Sequence, residues 1–284
     1  LKANRILKKA VGFGLAAMLG ATMLAGCGAG KTTEGAAPAG QGQAAAAGTL
    51  AKIKERGKFV VGVKYDLNLF GLKDPASGNV EGFDIDIAKA IAKKVLGDEN
   101  KIELKEVTSK TRIPMLKNGE IDAIIATMTI TEERKKEVDF SDVYFLAGQS
   151  LLVKKDSPIN GLADIKKGMK ILTAKGSTSA KNIREKAPDA EILEFENYAE
   201  AFTALKAGQG DALTTDNALL YGMAKQDPNY RVTSETFTEE PYGIAVAKGD
   251  SEFTTSINDL LKEMKQNGEY DKIYEKWIGE KPKN

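Results

Sequence analysis

The sequence predicts an α/β fold built as two similar lobes, and two observations carry the prediction. From Thr49 onward, short apolar strand candidates alternate with stretches of helical spacing, the pattern of a mainly parallel sheet covered by helices. The chain also echoes itself. Leu116-Lys117-Asn118-Gly119-Glu120-Ile121-Asp122-Ala123 and Leu205-Lys206-Ala207-Gly208-Gln209-Gly210-Asp211-Ala212 share L-K-x-G-x-x-D-A at an offset of 89 residues. Each copy reads as a helix end, a tight turn and a strand start. Two similar lobes explain the echo; coincidence between two common αβ units remains the alternative.

The elements follow in order. Lys2, Arg5, Lys8 and Lys9 form a basic start, and residues 11–24 are apolar but too short for a stable membrane span. Leu24-Ala25-Gly26-Cys27 resembles the lipobox of bacterial lipoproteins. That resemblance implies a signal peptide over 1–26 and lipidation of Cys27; the alternative is a small-residue cleavage site with an incidental cysteine. Residues 27–48, rich in Gly, Ala and Gln, read as a flexible tether. Within them Gly30-Lys31-Thr32 looks like the end of a P-loop, but Ala25 holds the first glycine position and no strand precedes it, so no phosphate site is expected.

Phe59-Val60-Val61-Gly62-Val63 reads as a buried strand, and residues 74–79 as a turn of turn-forming residues. Residues 84–95 carry Ile85, Ala88, Ile91 and Ala92 on one helical face. A strand over 102–107, a helix from Arg112 stopped by Gly119, and a strand over 122–126 complete the first half. The second half repeats the theme. Strands are expected over 170–173, 191–195 and 211–214, with helices from Ser179, Asn197 and Asn217. An amphipathic helix over 253–264, a break at Asn267-Gly268 and a last helix bearing Tyr270, Ile273, Tyr274 and Trp277 close the chain.

Composition excludes several chemistries. The 284 residues carry 41 Lys and Arg against 40 Asp and Glu, a net charge of +1, which gives no field for nucleic acid. With no histidine and a single cysteine, Ser-His and Cys-His catalysis, Cys/His zinc sites and structural disulfides are all removed.

The repeat offset pairs Thr127 with Asp216, and both are expected where a strand runs out at its carboxyl end, the edge at which open α/β sheets bind ligands. A site built from both ends would join Thr127, Thr129 and Arg134 of one lobe to Asp216 of the other. An arginine holds a carboxylate bidentately, hydroxyls and strand-end amides add donors, and an aspartate attracts an ammonium. Together they complement a zwitterion such as a free amino acid. Each residue has a structural alternative. Thr129 with Glu132 fits a capping box, Arg134 with Glu137 an exposed helix pair, and Asp216 a cap for the helix that follows.

Four motifs then form a set: Gly82-Phe83-Asp84-Ile85-Asp86; Thr127-Met128-Thr129-Ile130-Thr131-Glu132-Glu133-Arg134; Val138-Asp139-Phe140-Ser141-Asp142; and Pro241-Tyr242-Gly243-Ile244-Ala245. Over 49–281 the chain resembles the polar amino-acid solute-binding proteins of ABC transporters. The resemblance implies a two-lobed periplasmic-binding-protein-like fold of type II with two crossing hinge strands. Lobe 1 would span 49–143 and 244–284 and lobe 2 would span 149–238, with hinges near 144–148 and 238–243. It also implies that Arg134 and the Thr129 region hold the ligand α-carboxylate, that Thr178 adds a donor from lobe 2, and that Asp216 holds the α-ammonium with help from the main chain at Thr127.

The departures from the family pattern concern the ligand side chain. Ser109 stands where glutamine-binding relatives often carry an aromatic. Lys64 follows the first strand where relatives often carry an acid, and Arg112 opens a helix at the same rim. Two cations there favour an acidic side chain, so glutamate or aspartate is the expected ligand, with glutamine or asparagine the alternative. The structural alternatives are a solvated strand end for Lys64 and a surface position for Arg112. The expected protein is a monomeric, lipid-anchored extracytoplasmic receptor. It has no cofactor or metal and hands a free L-amino acid to a membrane permease. An enzyme on the same fold, a periplasmic dehydratase using Lys64 as general acid, and a sensor passing its closed state to a signalling partner are the readings of other classes.

Overall fold

The computed structural model describes residues 48–279. The signal segment, Cys27 and all of the proposed tether except Gly48 lie outside the described residues.

Helix α1 (Thr49–Arg56) leads into strand β1 (Phe59–Val63). Three short strands, β2 (Asp66–Leu67), β3 (Gly71–Lys73) and β4 (Val80–Glu81), form a small antiparallel sheet. Helix α2 (Phe83–Leu96), β5 (Ile102–Glu106), α3 (Arg112–Lys117), β6 (Ala123–Ile124), α4 (Glu132–Lys135) and β7 (Val138–Phe140) complete the first pass. The chain crosses over through β8 (Phe145–Ala147) into β9 (Gln149–Lys154). Then come β10 (Lys170–Ala174), α5 (Thr178–Lys186), β11 (Glu191–Phe195), α6 (Tyr198–Lys206), β12 (Ala212–Asp216), α7 (Asn217–Gln226) and β13 (Tyr230–Val232). It returns through β14 (Glu240–Tyr242) to β15 (Ala245–Ala247), α8 (Ser251–Asn267) and α9 (Glu269–Ile278).

The fold is a mixed α/β structure of two lobes. Lobe 1 has the sheet order β5-β1-β6-β15-β7 and lobe 2 the order β11-β10-β12-β9-β13. In each, the first three strands pair in parallel and the remaining two join antiparallel. The two sheets therefore share one plan, and the echoed segments lead into equivalent central strands, β6 and β12. The sequence predicts a mainly parallel sheet; the antiparallel return strands β9 and β15 make it mixed. Strands β8 and β14 pair antiparallel between the lobes, with Glu240 opposite Ala147 and Tyr242 opposite Phe145.

Strand periodicity explains the double-sided cores. In β1, Phe59, Val61 and Val63 pack into one apolar cluster and Val60 into another on the opposite face. In β9, Leu152 faces one cluster while Leu151 and Val153 face the other. With both faces covered, such strands read as continuous apolar runs rather than alternating ones. Entry into α2 requires a glycine. Gly82 has φ of 150°, and a Cβ there would lie 2.1 Å from the Phe70 carbonyl oxygen. This turn sets α2 at the angle that buries Asp84 beneath the end of β6.

Candidate functional site

A narrow pocket with a cavity volume of only about 10 Å³ lies between the carboxyl ends of the two sheets. Ser109, Arg112, Thr127 and Thr129 line it from lobe 1, and Thr178, Tyr198 and Asp216 are among its walls in lobe 2. The lobes touch around it. Tyr198 N donates to Asp66 Oδ2 at 2.9 Å, Asn68 Nδ2 donates to the Gly222 carbonyl at 3.1 Å, and Arg134 Nη2 donates to the Gly176 carbonyl at 3.3 Å.

Thr127 follows β6 with φ of 45°, a conformation that β-branched residues rarely take and that stores about 1–3 kcal/mol. Its amide is held by Asp84, whose Oδ2 accepts from Thr127 N at 3.0 Å while Oδ1 accepts from the Tyr144 hydroxyl at 2.8 Å. Thr129 sits in an extended segment bridged to Tyr242. Its hydroxyl donates to Glu240 Oε2 at 2.6 Å, and the Thr178 hydroxyl donates to the same oxygen at 2.8 Å. Glu240 is almost fully buried, and its other oxygen accepts from Asn182 Nδ2 at 3.1 Å. One hinge-strand carboxylate thus ties threonines of both lobes together.

These bonds decide among the alternatives left by the sequence. The cap of α4 is Thr131, whose hydroxyl accepts from Arg134 N at 3.2 Å, so Thr129 is not the capping residue. The Glu137 side chain pairs with Lys117 at 3.0 Å, not with Arg134. Asp216 stands at the N-cap position of α7 but makes no side-chain capping bond. Its Oδ2 accepts instead from the Tyr242 hydroxyl.

The cations divide. Arg112 is 2 % exposed and lines the pocket; its Nη1 donates to the Ala126 carbonyl at 2.7 Å. A surface position for it is therefore ruled out. Lys64 is equally buried, so it is no solvated strand end, but it stands behind the pocket wall. Its Nζ donates to Ser109 Oγ at 3.3 Å and lies 6.0 Å from the centre of the Tyr198 ring. Arg134 is half-buried at the junction of the lobes, with Nη1 donating to the Thr129 carbonyl at 2.7 Å and Nη2 to Gly176. The turn that brings Gly176 there has φ of 73°, and a Cβ on it would lie 2.9 Å from Lys110 Cα of the other lobe.

Among the described residues, two buried side-chain polar atoms lack a hydrogen-bond partner, Arg112 Nε and Asp216 Oδ1. They belong to opposite charges and line the same pocket. Burial and then the neighbouring Glu240 push the Asp216 carboxyl up to about 7, against the pull of Tyr242 and Arg134. Burial raises Asp84 to about 7 and lowers Lys64 to about 8. Burial and then Arg134 pull Arg112 down to about 9. Each shift is led by burial, and Arg112 Nε and Asp216 Oδ1 are the atoms the fold leaves without a hydrogen bond.

Asp84 and Tyr242 lie within the sequence motifs without a task that the motifs reveal, and nothing in the sequence singles out Glu240 or Tyr198. A polar residue inside an apolar helix face, as at Asp84, was the one available signal; the others are assembled only by the meeting of lobes.

Residues 59–280 match the family of bacterial extracellular solute-binding proteins, family 3. The chain belongs to this family. It is 69% identical over 261 residues to a protein named glutamine-binding protein from Geobacillus stearothermophilus, covering 91% of this chain and 100% of that relative. It is 63% identical over 276 residues to the ABC transporter glutamine-binding protein GlnH of Bacillus subtilis, covering 97% of this chain and 99% of the relative. Among solved structures it is similar to an ancestral arginine-binding protein bound to glutamine, with a TM-score of 0.74 and 50% identity, covering 79% of this chain and 99% of that one.

Proposed function

We propose that this family member is the ligand-capturing component of an ABC importer and that its cleft holds free glutamine. The observation that carries the reading is the pair of unpartnered buried groups, a guanidinium Nε and a carboxylate Oδ1, on one small pocket. A ligand that satisfies both must present a cation and an acceptor together.

In this reading Asp216 holds the α-ammonium beside Thr127. Arg134, whose guanidinium uses only part of its donor fork on the Thr129 and Gly176 carbonyls, holds the α-carboxylate. The main-chain N–H groups at the start of α5, where Thr178 lies, add donors. The hydroxyls of Thr129 and Thr178 spend their protons on Glu240. Arg112 Nε and Ser109 then face the ligand side chain and donate to an amide carbonyl.

An acidic ligand was the first expectation from Lys64 and Arg112, and its alternative, glutamine, is now the better supported. The two relatives are named for glutamine. Charge bookkeeping points the same way. The buried cations Lys64 and Arg112, with Arg134, face Asp84, Asp216 and Glu240, and Asp66 adds a carboxylate whose field reaches Lys64. The cations are already matched, so a ligand of zero net charge fits and an extra carboxylate brings an uncompensated charge into a dry site. The dehydratase reading has less support, since both relatives carry binding-protein names. Anchoring through Cys27, a monomeric state and delivery to a permease outside the cytoplasm complete the proposal.

The test is a thermal-shift screen of the protein against the twenty amino acids, repeated with Arg134→Ala. Stabilisation by glutamine that is lost in the variant supports the reading. No stabilisation by any amino acid would remove it.

A further inference from the structure

We propose that Tyr242 is a positioning residue for ligand capture: its hydroxyl aims the Asp216 carboxylate into the pocket and ties that carboxylate to the hinge. This rests on the reading of Asp216 as the ammonium-binding group and adds what prepares it.

The geometry is specific. Tyr242 is the last residue of hinge strand β14 and is fully buried. Its ring stacks on Phe145 at 5.5 Å and packs edge-on to Phe70 at 6.1 Å. The backbone around it is fixed to lobe 1 and the second hinge strand: Tyr144 N donates to its carbonyl at 3.0 Å, Gly243 N donates to the Met128 carbonyl at 3.0 Å, and Ile130 N donates to the Pro241 carbonyl at 2.8 Å. The phenol is therefore held by the hinge and lobe 1, whereas Asp216 ends a strand of lobe 2. Their hydrogen bond spans the junction between the hinge and lobe 2.

The same bond accounts for the direction of the carboxylate. Asp216 occupies a helix N-cap without capping the helix. Oδ2 is taken by Tyr242, and Oδ1 is left in the pocket without a partner. Among the groups whose fields reach it, Glu240 from β14 opposes its ionisation, while Arg134 from α4, Arg112 from α3 and the Tyr242 hydroxyl favour it. Tyr198 from α6 also stands within electrostatic reach. Of these, Tyr242 is the one whose hydrogen bond to Asp216 fixes which oxygen faces the ligand. A donated hydroxyl favours the charged carboxylate, which is the form an ammonium needs. Glutamine binding should therefore weaken as pH falls and Asp216 takes up a proton, and Tyr242 should set how high that midpoint lies.

The experiment is calorimetric titration with glutamine from pH 5.5 to 8.5 on wild type, Tyr242→Phe and Asp216→Asn. Phe keeps the ring and its packing and removes only the donor. The expected result is a midpoint moved up by about one pH unit in Tyr242→Phe, with binding about fivefold weaker at pH 7, and binding abolished in Asp216→Asn. If Tyr242→Phe follows the wild-type profile while Asp216→Asn abolishes binding, the positioning role is overturned and the site stands. If Asp216→Asn binds like wild type, the assignment of the ammonium site fails first. Should Tyr242→Phe not fold, 3-fluorotyrosine at position 242 replaces it. Its more acidic hydroxyl is a stronger donor and should move the midpoint down, and an unmoved midpoint would overturn the proposal.

Discussion

Replacing Asp216 by Asn should stabilise the ligand-free protein while destroying its function. The carboxyl is held at about 7 by burial and by Glu240, against about 3.9 in an unfolded chain. A carboxyl raised on folding binds more protons in the native state between those two values. Stability therefore falls as pH rises from about 4 to 7 and stays reduced above. A gap of three pKa units corresponds to roughly 4 kcal/mol, an upper figure because Asn must still be desolvated and placed. With half of it realised, the melting temperature at pH 8 would rise by about 4–8 °C for a protein of this size. The gain should be nearly gone near pH 4, where wild-type Asp216 is protonated in the native state and about half protonated in the unfolded chain. Thermal unfolding by circular dichroism at pH 8 and pH 4, with and without glutamine, measures both halves of the trade. A variant that melts lower than wild type at pH 8, or equally higher at both pH values, would refute the reasoning that this carboxylate is a preloaded electrostatic cost.

Gly176→Ala should weaken glutamine binding by about tenfold in calorimetry: its new Cβ meets Lys110 of the other lobe, and losing the Arg134 bond to the Gly176 carbonyl costs about 1–1.5 kcal/mol. Arg112→Met should remove an unpartnered donor and a buried charge together, so the free protein should melt no lower than wild type while glutamine affinity falls by about tenfold or more, read in paired melting and binding curves. Lys64→Met should weaken glutamine less, by up to about tenfold, because Lys64 acts through Ser109, and should not improve glutamate; a gain in glutamate affinity would count against the charge-balance argument.

Much of the architecture was legible because it rests on local patterns. The all-buried run at β1 and the apolar face of α2 reflect strand and helix periods directly, and the echoed turn before β6 and β12 announced equivalent lobes. Strand β6 was harder. The apolar run 122–126 suggests five strand residues, yet the strand proper is Ala123–Ile124, flanked by Asp122 and Ile125, whose amides still donate to the β1 carbonyls of Val60 and Gly62, before the positive-φ turn at Thr127. The antiparallel return strands β9 and β15 were missed since nothing local distinguishes their direction. Within the site, Arg112 carried the least informative surroundings: a cation near a helix start looks like a surface residue, and only the depth of the cleft shows otherwise. Glu240 and Tyr242 lie in a short hinge strand whose sequence gives no periodicity, and their partners stand in both lobes.

The most direct measurement of the central claim is calorimetry of glutamine, glutamate and aspartate against the same protein at pH 7.5. The charge balance of the cleft predicts that glutamine binds more tightly than glutamate and that aspartate binds weakest of the three. Tighter binding of glutamate than glutamine would contradict it and return Lys64 and Arg112 to the role of carboxylate clamp.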